Sequence, residues 1–145
     1  MTSVPSLSIP TKSIASAVAR RLVDAAIAHA MSKGWRIAVA VVDPSGECVA
    51  SARMDYVTPA ILGFATDKAY TAAMTGKSTL QFQERMASSS ELTMGLANRP
   101  RLLCWEGGLA ITEDGMVIGG IGVSGATGPE DAECAGVALS LVLQA

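Results

Sequence analysis

The chain has one histidine. With His29 alone among 145 residues, the composition argues against a multi-histidine metal site within one chain. The three cysteines, Cys48, Cys104 and Cys134, are an odd number without Cys-x-x-Cys spacing. That disfavours a disulfide framework and a zinc site, and a reducing cytoplasm is the expected compartment. Lys/Arg runs are absent and the formal net charge is −2, so nucleic acid is not an expected partner. No apolar run approaches the ~20 residues that span a bilayer, so no membrane segment is expected. Met1–Pro10 lacks the basic start and apolar centre of a signal peptide. Neither a Gly-x-Gly-x-x-Gly nor a Walker loop is present, so nucleotide binding has no support.

What the chain does have is small apolar residues. Half of it is hydrophobic, although only 4% is aromatic. The length suits one domain, read as residues 11–145 behind an extended arm at 1–10. Apolar surface in excess of what a small core can bury predicts a homo-oligomer.

The pattern of elements is mixed. Thr11 to Lys33 reads as a helix, with Ile14, Val18, Leu22, Ala25 and His29 on one stripe and Gly34 as its stop. Ile37–Asp43 and Glu47–Met54 read as strands of a hairpin around Pro44-Ser45-Gly46. Thr58-Pro59 opens a second helix that runs to Gly76. Ser78–Gln81, Ser88–Glu91 and Thr127–Glu130 each have capping-box spacing, and the last opens a helix to about Leu143. Leu102–Trp105, Leu109–Thr112 and Met116–Val123 read as three further strands. Hairpin-linked strands imply a mostly antiparallel sheet covered by helices, an α+β sandwich.

Several segments, taken in order, resemble the GlcG/HbpS-like family, also called haem-degrading, which includes the C-terminal domain of PduO. They are Ala38–Asp43, Ala52-Arg53-Met54-Asp55, Asp67–Ala72 with Gly76–Thr79, Gly107-Gly108, Asp114-Gly115, Val117–Gly125, Asp131 and Cys134-Ala135. The resemblance covers about residues 11–140. It implies a profilin-like α/β/α sandwich with a five-stranded, mostly antiparallel sheet, assembled as dimers or larger oligomers. It also implies mixed functions, haem binding among them. Where the family's hairpin turn often reads Gly-Gly-His, this chain has Ser45-Gly46-Glu47, so a potential metal or haem ligand is missing there.

The candidate site residues follow from their chemistry. Arg53, at the end of a strand, offers bidentate recognition of a carboxylate. Lys68, mid-helix among alanines, offers a second anchor or, if buried, a proton donor; either cation could instead pair with Asp43, Asp55 or Asp67. Glu106, beside Trp105 and the glycines Gly107 and Gly108, could line an apolar pocket and move protons. Ser124 and Gly125 precede a helix start, where backbone N–H groups favour anions. His29 is a general base, an axial haem ligand or simply a core histidine. Cys134 lies near a helix start that would lower a thiol pKa, or it fills the core.

The leading expectation is a cofactor-independent enzyme of isomerase, tautomerase, lyase or hydrolase type. It would act on a small, carboxylated metabolite held by Arg53 and Lys68, with Glu106 or His29 moving a proton. The alternatives are a haem-binding protein for storage, sensing or degradation, with His29 as ligand, and a non-catalytic assembly partner.

Overall fold

A computed structural model describes residues 3–143. The elements run α1 (Ser16–Lys33), β1 (Ala38–Val42), β2 (Cys48–Arg53), α2 (Pro59–Thr75), α3 (Thr79–Met86), α4 (Ser90–Leu96), β3 (Gly108–Glu113), β4 (Met116–Ser124) and α5 (Gly128–Leu143). The sheet is antiparallel throughout, in the order β2-β1-β4-β3. β1 is buried on both faces, as a central strand between helical layers must be. One face carries α1 and α5, where Leu22, Ala26, Val39, Val41, Ile121, Val123 and Ala135 share a core. The other face carries α2.

The α2 contact is set by absence of side chains. Gly120 and Gly122 of β4 lie directly under Ala65, Ala69 and Ala73 of α2. With glycine below and alanine above, the helix backbone rests on the strand at a distance no larger pair would allow.

The expected α/β/α sandwich is present, with a sheet of four strands rather than five. Leu102–Trp105 is not a strand because side chains of the neighbouring helices take its backbone groups. Thr71 Oγ1 donates to Arg101 O at 3.2 Å and accepts from Leu103 N–H at 2.9 Å, and Gln83 Nε2 donates to Cys104 O at 3.0 Å. The first helix starts at Ser16, not Thr11. The N–H of Ile14 donates to Ile118 O at 2.9 Å, which ties this residue to β4 in an extended segment. Residues 3–15 carry neither helix nor strand.

The caps follow the sequence closely. Gly34 and Gly76 end their helices in the left-handed conformation, and Ser78 and Gln81 make both bonds of the capping box. In the segment read as Ser88–Glu91 the cap is Ser89, which accepts from Leu92 N–H. No described helix is long and apolar enough to cross a membrane.

Candidate functional site

Lys68 and Asp131 form the polar centre of the molecule. Both residues are only 2% exposed. Lys68 leaves the middle of α2 and passes the end of β4. Its Nζ donates to Val123 O at 2.9 Å and to Asp131 Oδ2 at 3.1 Å. Asp131, in the first turn of α5, also accepts from Ala126 N–H through Oδ1 at 3.0 Å. Burial pushes the Lys68 ammonium below its ordinary pKa and the Asp131 carboxyl above its own; each partner's opposite charge opposes the shift.

A cleft of about 300 Å³ opens onto this pair. Ile61, Phe64 and Trp105 form its apolar wall, and Glu106, Ser124 and Gly125 line it too. Phe64 and Trp105 meet edge to face at 5.1 Å. The Glu106 carboxylate reaches the start of α5, where a Cβ on Gly128 would lie 3.3 Å from its Oε2. Four of the residues singled out in the sequence, Lys68, Glu106, Ser124 and Gly125, therefore share one cavity.

Gly107 and Gly108 do different work. They pack over the pair rather than line the cleft. A Cβ on Gly107 would lie 2.5 Å from Val123 O and 3.0 Å from Lys68 Nζ. The N–H of Gly108 is given to Thr79 Oγ1 at 2.9 Å.

Arg53 and His29 stand apart from this cleft. Arg53 lines a second, open depression of about 420 Å³, shared with Ile27, Met31, Arg36, Met54, Asp55 and Tyr56, so its two cations outnumber its one carboxylate. Its Nη1 donates to Val57 O at 3.0 Å. The expected clamp of Arg53 and Lys68 on one carboxylate is thus not assembled. His29 sits between α1 and α5. Its Nε2 lies 2.8 Å from Glu133 Oε2, and its ring meets Trp35 edge to face at 6.0 Å. That hydrogen bond holds the Glu133 carboxyl below its usual range. Cys134 is fully buried, and burial pushes its thiol up to about 11; the helix start does not activate it. Among the described residues, no group of three or more His, Cys, Asp or Glu side chains is placed to hold a metal ion.

In the sequence Asp131 stands out only as one of the family-like segments, with no chemical role attached. Its partner lies 63 residues away, and nothing local announces the pairing. Arg36 and Tyr56 carried no signal either.

The family model described as haem degrading protein HbpS-like matches residues 14–140. The chain belongs to this family. Protein GlcG of Escherichia coli K12 is 32% identical to it over 107 residues, which cover 74% of this chain and 78% of GlcG. Among solved structures, Klebsiella pneumoniae protein ORFY superposes on this HbpS-like chain with a TM-score of 0.90 at 26% identity, covering 99% of each. A double mutant of Streptomyces reticuli HbpS gives a TM-score of 0.87 at 26% identity, covering 98% of this chain and 95% of that one.

Proposed function

We propose that this HbpS-like chain is a haem-binding protein. Two things support the reading: the family's description as haem degrading, and a donor set that fits the group. The observation that carries it is the depression beside Arg53. Arg36 and Arg53 there suit two propionates, since guanidinium groups take carboxylates bidentately. Tyr56 and the two methionines bring phenol and thioether, both of which ligate haem iron elsewhere. By contrast, no His, Cys, Met or Tyr lines the Lys68 cleft, and His29 is engaged by Glu133. Haem, when bound, would bring redox and oxygen chemistry; the chain's part is to hold and shield it.

The test is a haemin titration of the purified apo-protein, followed by the Soret band. A saturable one-to-one shift, unchanged in His29→Ala, is expected. A weak spectrum that never saturates would dismiss the reading. A shift lost in His29→Ala would move the ligand to the α1–α5 contact.

The buried pair favours a second reading, acid–base turnover of a small molecule at the Lys68 cleft without a cofactor. Buried, perturbed ionisable groups at a cleft mark sites of proton transfer. Glu106 would take a proton from the substrate, and Lys68 would return one at another atom; a proton then passes from Glu106 back to Lys68 through solvent, so an isomerisation or tautomerisation is proton-neutral over the whole cycle. Lys68 is balanced by Asp131 while Glu106 adds negative charge, so this site suits a neutral keto or hydroxy compound better than the carboxylate expected from the sequence. A screen for deuterium uptake from D₂O into such compounds tests it. Glu106→Gln should slow exchange by about 10²–10⁴-fold; exchange at the wild-type rate in that variant would end the reading.

A further inference from the structure

Met54–Val57 is a tight turn, closed by the N–H of Val57 donating to Met54 O at 3.2 Å. Its third residue is Tyr56, with φ of 67°. That position suits glycine or asparagine, because a side chain there is strained. The tyrosine gains no burial in exchange, since 88% of it is exposed. Strain kept without packing is found where a side chain is needed for contact with something else.

Its neighbours are suited to such a contact. The Arg36 guanidinium covers one face of the Tyr56 ring at 4.8 Å. Arg53 is fastened to the same turn through Val57 O, which leaves most of its N–H donors unspent. Asp55 lines the same depression, yet among the described residues no carboxylate oxygen lies within 4.0 Å of either guanidinium. Met31, 66% exposed, completes the rim.

We propose that this turn is the haem seat of the chain: Tyr56 supplies the axial oxygen, and Arg36 and Arg53 receive the propionates. The inference rests on the haem reading and assigns it to residues that the family description does not name.

The experiment titrates the full chain with ferric haemin, read by absorbance, and with metal-free protoporphyrin IX, read by fluorescence. Tyr56→Phe should bind protoporphyrin within about twofold of wild type while the haemin spectrum loses its phenolate-to-iron character. Arg36→Gln and Arg53→Gln should each weaken both ligands by about tenfold. Tyr56→Gly should melt at a higher temperature than wild type and bind haemin at least about tenfold more weakly, which shows that the strain serves the ligand. If all four variants keep wild-type affinity and spectrum, the seat lies elsewhere although haem binding stands. A spectral change in Met31→Leu in place of Tyr56→Phe overturns Tyr56 as the ligand. If wild type itself shows no saturable haemin binding, the haem reading falls and the seat falls with it.

Discussion

Lys68→Met is expected to destabilise the protein by about 3–5 kcal/mol, because it leaves Asp131 buried without its cation. In a domain of ordinary stability, about 5–15 kcal/mol, that is a large part of the margin. The methionine fills the alkyl path of the lysine, so the loss is electrostatic and not a cavity. The double variant Lys68→Met/Asp131→Leu should regain most of it, since it removes both charges together. Urea unfolding of the three proteins measures the effect. A single variant as stable as wild type would mean that Asp131 simply takes a proton at little cost.

The pair also predicts an unusual pH dependence. Lys68 titrates below its ordinary value of 10.5. Between its folded pKa and 10.5 the unfolded chain holds more protons, so this group's contribution to stability rises as pH rises through that window. Asp131 titrates above 3.8. Between 3.8 and its folded pKa the folded protein holds more protons, so stability falls as pH rises there. The charged pair is therefore least favourable between the two windows. The stability of wild type relative to the double variant should be lowest at mid pH and should improve towards both ends. A maximum at mid pH would reverse the sign of both shifts.

Gly122→Ala is the second large effect, at about 3 kcal/mol or more. The new Cβ would strike Ala65 O and lie 2.5 Å from Ala69 N. Both are backbone atoms of α2 and cannot rotate away. Gly63→Ala and Gly136→Ala are the matched controls. Both glycines are helical, and a Cβ on either meets nothing within 4 Å, so each should stabilise by about 0.5–1 kcal/mol. Denaturant midpoints compare the three directly. Equal stability of Gly122→Ala and wild type would show that α2 can lift away from β4.

The same glycines show what the sequence could and could not reveal. Helix ends were legible because Gly34, Gly76 and the Ser78–Gln81 box act within one turn of chain. The gathering of Glu106, Ser124 and Gly125 was legible in part, because residues just outside strand ends are brought to one end of a sheet; Lys68 reaches them from the middle of α2, which no local rule announces. Ser124 and Gly125 read as an anion site and do line the cleft, while Gly122 two residues earlier seats a helix; a glycine reads the same in either role. Leu102–Trp105 has a strand's composition, and only the distant side chains of Thr71 and Gln83 decide otherwise. Arg53 and Lys68 carry similar chemistry, but no local rule says that they face different cavities. Tyr56 defied turn preferences, and such a breach is invisible until the backbone angle is known.

The close seat of α2 on β4 also bears on how a ligand could enter the inner cleft. One wall of that cleft is a helix locked backbone to backbone against the sheet, with no side-chain layer to compress or slide. Breathing on that side would require parting the layers of the whole domain. Beyond the Phe64–Trp105 contact, Trp105 and Glu106 belong to a segment outside the sheet that is fastened by the side chains of Thr71 and Gln83 and is tied to β4 only at Gly107, whose carbonyl accepts from Val123 N–H at 3.0 Å. The width of the cleft is therefore set on one side by the α2–β4 contact and on the other by the placement of residues 97–106.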